Sequence, residues 1–448
     1  MRGNTLQNSG GALLAGAATK NITPSCSVFL YGYPFVRRYS TGVHDPLLST
    51  ALYLSDGQTE VIFVANDIIW VSKESARRIR ARIGAASTVP AGNILISATH
   101  THSGPMTLDY VSNADDPVVP KADPSYVQEF EDRLVMAALE AIANRKPAEA
   151  GLAIAEVSGI GTNRHDPNGP ADSQVPVLMV RSAADYDPIA SMMVCSMHPT
   201  VLHEDSTLIS GDFPATSRQY LQQEFFGKPC PILHHTGPCG NQSPRYVTTS
   251  NTFEEAGRLG RLLACAVQKA LSTIEYKRNL PLRCGRVFID LPRRSFPTVA
   301  SAEAGRVRAK EELDRLRRSH AAKQCIRTAE VDWFGAEETL SLARAAAEHK
   351  LEDAYRSCLP AEIQIMRVGQ WCFVGWQGEV FVEFALAVKS RLPSTFIVSL
   401  ANGDLQGYIC TREAFECKFY EAGNCLFSQE AGDILVERTV EFVRQLTA

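Results

Sequence analysis

The stretch Val61-Ile-Phe-Val-Ala65 decides the fold class, because the order of segments that it begins recurs along the chain. Its β-branched and apolar residues indicate a buried strand, which ends at Asn66-Asp67. A helix-like segment rich in arginine and alanine follows, from Lys73 to Arg82. The sequence therefore predicts a strand, a loop and a helix in that order.

The same unit appears twice more before the middle of the chain. A strand is predicted at 94–98, with a helix at 126–144, and another strand at 190–196, with a helix at 215–226. Later strands are predicted at 231–235, 287–291, 371–375 and 396–400, and a helix from about 379 to 391. Because strands alternate with helices, the sequence predicts an α/β fold with mixed β-sheets flanked by helices.

The segment 301–357 differs from this pattern. It is rich in alanine, arginine, glutamate and leucine and carries no strand signal, so we expect a helical insertion. We expect residues 1–12 to be disordered and residues 13–448 to form one catalytic domain that includes this insertion.

Composition narrows the class of partner. The 448 residues include 45 basic and 49 acidic ones, for a net charge of -4, without a long run of one sign. An extended nucleic-acid surface is therefore not expected, and a small molecule is the expected partner. The twelve cysteines are scattered and show no disulfide or cysteine-rich zinc spacing.

The hydropathy pattern bears on location. No apolar stretch approaches the roughly 20 residues that cross a bilayer, and the first residues lack the apolar region of a signal peptide. The sequence predicts a cytoplasmic protein without a transmembrane segment. It leaves the oligomeric state open.

Chemically competent side chains follow the predicted strands, where α/β folds bind ligands. They are His100 and His102 after the second strand, His198 after the third, then Ser243, Glu379 and Tyr408. Two histidines and a carboxylate form a common hydrolytic zinc set. Strand-end histidines are more often ordinary hydrogen-bonded residues, and Glu379 could equally begin a helix, so the residue types alone leave both readings open.

Three further polar residues could orient a ligand histidine through a hydrogen bond: His44, Asp67 and Asp212. Their alternative role is turn or capping chemistry, as in Asp212-Phe-Pro214. The sequence does not separate the two.

The motifs taken together resemble those of the neutral/alkaline, non-lysosomal ceramidase family. In chain order they are His100-Thr-His102-Ser-Gly-Pro, Asn163-Arg164, Met197-His198-Pro-Thr, Gly240-Asn-Gln-Ser243-Pro, Gly378-Glu379, and Tyr408-Ile-Cys-Thr-Arg-Glu followed by Phe419-Tyr420-Glu-Ala. Each motif alone is weak, but six in order make a chance match improbable. The resemblance extends from residue 14 to about residue 430.

This resemblance implies one zinc ion per chain, held by His100, His198, Glu379 and Tyr408. His102 takes a catalytic position beside the metal. The same resemblance places Arg164 and Tyr420 at the scissile amide, and gives Ser243 the role of nucleophile or substrate-positioning hydroxyl.

The implied activity is zinc-dependent hydrolysis of the amide bond of ceramide or a related N-acyl compound, a substrate that could be a lipid. Because the sequence shows no base beside Ser243, we expect attack by zinc-bound water. Three alternatives stay open: an esterase or lactonase, a hydrolase of small amides on the same scaffold, and a non-catalytic homologue.

Three departures from the family pattern leave the substrate open. Met106-Thr-Leu-Asp109 stands where glycines are expected, and the serine motif reads Asn-Gln-Ser-Pro-Arg245 in place of Asp-Val-Ser-Pro-Asn. The chain ends at Ala448, so we expect no C-terminal β-sandwich domain of the kind found in that family.

Overall fold

Two β-sheets stack face to face between two layers of helices in the computed structural model, which describes residues 11–447. Residues 1–10, on which most of the predicted disordered segment falls, lie outside the described residues. The predicted α/β class, with mixed sheets flanked by helices, is confirmed.

The strands of the described residues are short to medium in length. They are β1 Leu14–Asn21, β2 Gly42–Val43, β3 Leu48–Ser55, β4 Glu60–Asn66, β5 Ile94–Ala98, β6 Lys146–Glu156, β7 Thr162–Asn163, β8 Gln174–Ser182, β9 Pro188–Cys195, β10 Leu208–Ile209, β11 Ile232–Thr236, β12 Gln242–Ser243, β13 Leu282–Ile289, β14 Ala361–Val368, β15 Trp371–Trp376, β16 Glu379–Val380, β17 Thr395–Val398 and β18 Tyr408–Ile409.

The α-helices of the same range are α1 Lys73–Ala86, α2 Pro124–Ala143, α3 Asp212–Tyr220, α4 Phe253–Leu271, α5 Val299–Arg318, α6 Lys323–Ala347, α7 Leu351–Cys358, α8 Val382–Arg391, α9 Arg412–Glu416, α10 Tyr420–Gly423 and α11 Ala431–Thr447. Most of the segment 301–357 is helical and lies in α5, α6 and α7. Several starts are capped by side chains; Thr252, for example, accepts from Glu255 N at the start of α4.

The larger sheet has eight strands in the order β11-β9-β8-β6-β1-β3-β4-β5, and the smaller has four in the order β13-β14-β15-β17. Neighbours are mostly antiparallel, but β4 with β5, β9 with β11 and β15 with β17 are parallel. Three two-stranded ladders, β10-β2, β12-β7 and β16-β18, lie outside these sheets. The last two carry residues of the candidate site.

The strands of the larger sheet are apolar on both faces, as expected for a sheet covered on both sides. On β4, Val61 and Phe63 face the smaller sheet, whereas Ile62 and Val64 face α1 and α2. The Phe63 ring meets Phe373 of β15 edge to face, with centroids 5.6 Å apart. Such an aromatic contact adds about 0.5 to 1.5 kcal/mol beyond the buried area.

Helices complete the outer layers. Helices α3 and α4 cover one part of the larger sheet, and α7, α8 and α11 cover the outer face of the smaller one. No helix within residues 11–447 combines the length and apolar character that spanning a bilayer requires.

The larger sheet curls until its edge strands meet. Ser97 Oγ on β5 lies 2.7 Å from His235 Nδ1 on β11, although these strands stand at opposite ends of the sheet order. The side chain of Thr236 also donates to Thr99 O at 2.8 Å. This closure brings the loops that follow β5, β9 and β11 to one place.

Candidate metal centre and its cavity

His100 lies two residues beyond β5 in a backbone conformation with φ of 68°, in the left-handed region that few non-glycine residues adopt. Its backbone N–H donates to Ile68 O at 3.0 Å, and its ring Nδ1 is 3.0 Å from Ile69 O. The loop after β4 therefore fixes both the backbone and the ring of His100.

His198 is held in the same way from another loop. Its Nδ1 lies 2.6 Å from Cys239 O, in the loop that follows β11, and 3.1 Å from Gln242 O, at the start of β12. A carbonyl can only accept, so Nδ1 of His100 and of His198 carries the proton. The Nε2 atom of each neutral ring then presents a lone pair to the cavity.

Glu379 supplies a third acceptor. Its Oε2 lies 3.2 Å from His198 Nε2 and 3.3 Å from His100 Nε2. The helix predicted from about residue 379 is wrong at its start: Glu379 lies on β16, and α8 begins at Val382.

The donor set fits a metal ion. Two neutral imidazoles and a carboxylate converge their lone pairs, which repel one another unless a cation lies between them. In a tetrahedral zinc site with bonds of about 2.0 to 2.1 Å, neighbouring ligand atoms are about 3.3 Å apart. The separations of 3.2 and 3.3 Å match that spacing.

His102 belongs to the same cluster, since one ring nitrogen from each of His100, His102 and His198 lies within 4.8 Å of the others. This histidine cluster could hold a metal ion. His102 Nε2 is 3.3 Å from His100 Nε2, but the buried Nδ1 of His102 makes no hydrogen bond with the described residues. Among the described residues, no carbonyl fixes the tautomer of His102, unlike the tautomers of the other two rings.

The surroundings of His102 are tightly packed. Gly32 has φ of 124°, and a Cβ there would come within 2.4 Å of the His102 ring. Burial lowers the pKa of His102 well below its ordinary value. The ring is therefore neutral in this structure.

Tyr408 reaches the cluster through strand pairing. On the parallel ladder of β16 and β18, Tyr408 is the register partner of Glu379. Its ring centroid is 5.9 Å from that of Tyr420, at an interplanar angle of 82°. Burial raises the pKa of Tyr408 well above its ordinary value, with the Glu379 charge acting in the same direction.

Arg164 joins the two tyrosines to a buried acid. Its Nε donates to Glu421 Oε1 at 2.7 Å and its Nη2 donates to Gly240 O. The guanidinium carbon lies 4.9 Å from the Tyr420 ring centroid and 5.5 Å from that of Tyr408. Arg164 thus holds a positive charge beside both phenols.

Ser243 lies on β12, opposite Thr162 of β7, and so faces the same cavity as Arg164. Its Oγ accepts from Arg245 N at 3.1 Å. Among the described residues, no imidazole or carboxylate hydrogen-bonds to this hydroxyl. The geometry thus shows no activating base.

All eight residues singled out from the sequence line one cavity with about 830 Å³ of empty space, including its open mouth. They are His100, His102, Arg164, His198, Ser243, Glu379, Tyr408 and Tyr420. The structure therefore brings together motifs that are separated along the chain.

The three further candidates do not hold a histidine ring of the cluster. Asp67 binds both terminal nitrogens of Arg218, at 2.8 and 2.5 Å, and Asp212 accepts from the backbone N–H groups of Val201 and Leu202. His44 pairs with Asp45 and stacks on Phe253. Backbone carbonyls orient the rings of His100 and His198 instead.

The cavity also contains charged residues that the sequence analysis did not assign to it. Arg245, Arg327 and Glu338 line its wall, the last two from helix α6. Arg245 directly follows Ser243-Pro244, so the sequence could have indicated that it lines the same cavity as Ser243. Nothing in the local sequence distinguishes Arg327 from the many solvated charges of the helical segment.

Residues 13–229 match the family model for the neutral/alkaline non-lysosomal ceramidase N-terminal domain. A solved ceramidase in complex with C2 superposes with a TM-score of 0.73 at 16% identity, covering 97% of this chain and 76% of that one. Neutral ceramidase from Pseudomonas aeruginosa gives a TM-score of 0.73 at 18% identity, with coverages of 97% and 75%. No curated protein sequence matches the chain. The resemblance to neutral ceramidases is confirmed, and the chain has their fold.

Proposed function

From the neutral ceramidase fold and the cluster that it carries, we propose that this protein is a zinc-dependent hydrolase of the amide bond of ceramide or a related N-acyl compound. One observation carries the proposal. The unprotonated Nε2 atoms of His100 and His198 converge with Glu379 Oε2 at 3.2 to 3.3 Å, inside the cavity.

The proposed ligands of one zinc ion per chain are His100, His198, Glu379 and Tyr408. The carbonyl contacts at Nδ1 support the two histidines, and the register pairing with Glu379 supports Tyr408. Bound zinc would lower the pKa of a water molecule and polarise the scissile carbonyl.

The other residues of the cavity supply binding and proton transfer. Arg164 and the Tyr420 hydroxyl can donate to the oxygen of the scissile amide as negative charge develops there, and each such donor is typically worth about 3 to 4 kcal/mol. The Glu421 contact holds Arg164 in place for this role.

His102 is proposed to carry the proton to the departing amine. Its Nδ1 has no partner among the described residues and its ring is neutral, so it can accept a proton from the attacking water and release it to nitrogen. Ser243, without an adjacent base, is proposed to position the substrate.

We also propose that residues 13–448 act as one catalytic domain and that the helical segment 301–357 is an insertion that walls the cavity. Helix α6 supports this role because Arg327, Val331, Phe334 and Glu338 all line the cavity. A Cβ on Gly335 of the same helix would come within 2.7 Å of Tyr420 Cβ, so the helix packs closely on that residue.

The test combines metal analysis with turnover. The purified protein should contain about one zinc per chain and hydrolyse members of a series that runs from short N-acyl amides to long-chain ceramide, with esters and lactones for comparison. Chelation should abolish the activity and added zinc should restore it. As a control, exposed His320→Ala should leave both zinc content and turnover unchanged. Absence of stoichiometric zinc together with activity that survives chelation would overturn the proposal.

A further inference from the structure

Arg245 is a cation in the cavity without an acidic partner. Its side chain lines the cavity, and among residues 11–447 no carboxylate lies within 4.0 Å of its guanidinium nitrogens. Its contacts are neutral oxygens: Nη1 lies 3.2 Å from Thr328 Oγ1 and 3.4 Å from Arg164 O. Arg245 is thus hydrogen-bonded, but it has no ion-pair partner within 4.0 Å among the described residues.

The other two arginines of the cavity are compensated. Arg164 pairs with Glu421 at 2.7 Å. Arg327 Nη1 lies 2.9 Å from Glu204 Oε1 and 2.6 Å from Glu330 Oε2. Arg245 is therefore the exception among the cavity arginines in the part of the chain that the structure describes.

Neither neighbouring acid forms an ion pair with Arg245 within 4.0 Å among the described residues. Glu421 already binds Arg164 and also lies 2.8 Å from His165 Nε2. Asp332 forms no ion pair with Arg245, but the Arg245 charge acts on it: burial raises the pKa of Asp332 to about 6, and Arg245 acts in the opposite direction. Burial lowers the pKa of Arg245, and the charges of Arg164 and Arg327 act in the same direction, whereas Tyr420 and Glu421 oppose them. On balance these causes lower the pKa of Arg245, and no carboxylate of the described residues contacts its guanidinium.

A neutral lipid amide would leave Arg245 without an ion-pair partner. On entering the cavity it would displace water from Arg245 and supply no charge in return, and a desolvated, unpaired cation is costly. A carboxylate would instead form the paired, charge-assisted contacts that a guanidinium favours.

We propose, as an extension that rests on the proposed function, that the substrate is an N-acyl amide bearing a carboxylate, which pairs with Arg245. Arg245 contacts the backbone carbonyl of Arg164, the residue whose side chain is proposed to bind the scissile amide, and both side chains line the same cavity. The carboxylate then lies close to that amide, as it does in an N-acylated amino acid. An acyl portion that ends in a carboxylate is the other arrangement with the same chemistry.

Matched pairs of ligands test this assignment. N-octanoylglycine and N-octanoylglycinamide differ in charge but little in size, and the charge lies on the amine side of the amide bond. N-octylsuccinamic acid and its carboxamide form a second pair, in which the charge lies on the acyl side. Binding to the metal-free protein is measured by calorimetry, and hydrolysis by the zinc-loaded protein. We expect at least one acid to bind about tenfold or more tightly than its carboxamide, the size of one charge-assisted contact. The pair that shows it identifies the half of the substrate that carries the charge.

Substitutions at Arg245 link the preference to this side chain. In Arg245→Gln, which has no cation at this position, the ratio of acid to carboxamide affinity should fall close to one. Arg245→Lys retains a cation and should keep part of the preference. Exposed Arg133→Gln on α2 is the control and should retain the full preference.

The outcomes separate this proposal from the one on which it rests. Equal binding of acid and carboxamide in both pairs, or a preference that survives in Arg245→Gln, overturns the anion site even if ceramide is cleaved. An Arg245-dependent preference without hydrolysis of any acyl compound supports the anion site and overturns the hydrolase.

Discussion

His198 Nε2 lies 3.2 Å from Glu379 Oε2, although the two residues are 181 positions apart in the chain. With Nδ1 of His198 donating to Cys239 O, both facing atoms are acceptors and no proton lies between them. Such a contact is favourable only when a cation is shared. Replacing each proposed ligand in turn and measuring bound zinc therefore tests whether a metal ion lies between these side chains.

His100→Ala and His102→Ala should fail differently. His100→Ala removes a proposed ligand, so the zinc content should fall well below one per chain. His102→Ala should keep its zinc and lose turnover by about 10² to 10⁴-fold, the usual contribution of a general acid–base. Metal analysis and steady-state kinetics on both variants check this. If His102→Ala loses zinc as completely as His100→Ala, then His102 is a ligand, an assignment that the three-histidine cluster also permits.

Glu379→Gln should weaken zinc binding while nearly preserving side-chain volume. The amide is neutral, so it lacks the charge that a carboxylate ligand contributes to the site. Competition with a chelator should show a fall in zinc affinity of at least about tenfold. Exposed Glu437→Gln, whose side chain is 65% accessible, is the matched control and should bind zinc like the unaltered protein. An unchanged affinity in Glu379→Gln would remove this residue from the ligand set.

Gly32→Ala should disturb His102 without touching a proposed ligand. The new methyl would come within 2.4 Å of the imidazole, and alanine is strained at φ of 124°. We expect turnover to fall at least tenfold with zinc content retained, because a small displacement of a proton carrier is costly. Gly57→Ala is a control of similar backbone type, since its φ is 83° and no atom lies within 4 Å of its added Cβ. Full activity in Gly32→Ala would argue that His102 needs no fixed position.

Asp67→Asn should destabilise the fold and weaken zinc binding together. Arg218 would lose its ion-pair partner, and breaking one side of a buried pair typically costs about 3 to 5 kcal/mol. The loop after Asp67 also carries the Ile69 carbonyl that holds the His100 ring. Urea unfolding of the metal-free protein measures the first effect, and chelator competition measures the second. A loss of stability with normal zinc affinity would show that the ion pair stabilises the fold without supporting zinc binding.

Stability should depend on pH through Asp212. Burial raises the pKa of its carboxyl group from 3.8 to about 7, so between these values the folded chain holds a proton that the unfolded chain has lost. The contribution of Asp212 to stability is therefore complete at pH below about 4 and is lost as pH rises to about 7. The shift corresponds to on the order of 4 kcal/mol at most.

Comparison with Asp212→Asn isolates this effect. The asparagine side chain does not titrate, so its stability relative to the unaltered protein should improve as pH rises from 5 to 8. Urea unfolding of both proteins across that range provides the measurement. A difference that stays constant with pH would show that Asp212 is ionised in the folded protein throughout.

Local patterns predicted the elements near the site well. The strand predicted at 94–98 coincides with β5, and those predicted at 371–375 and 396–400 agree with β15 and β17 within two residues. Such runs are recognisable because β-branched and apolar residues fill both faces of a covered strand. The helix predicted from about residue 379 began too early, because pairing of β16 with β18 overrides the local helical pattern at Glu379.

The sequence by itself determined the α/β class, the places where strands end, and the residue types available for a metal centre, because these follow from side-chain periodicity and chemistry. Only the tertiary structure decided which strand ends meet. Three relationships depend on residues far apart in the chain: the contact between Ser97 and His235 across the curled sheet, the register of Glu379 with Tyr408, and the lack of an acidic partner for Arg245 among the described residues. Long-range packing sets these relationships, and no local pattern encodes them.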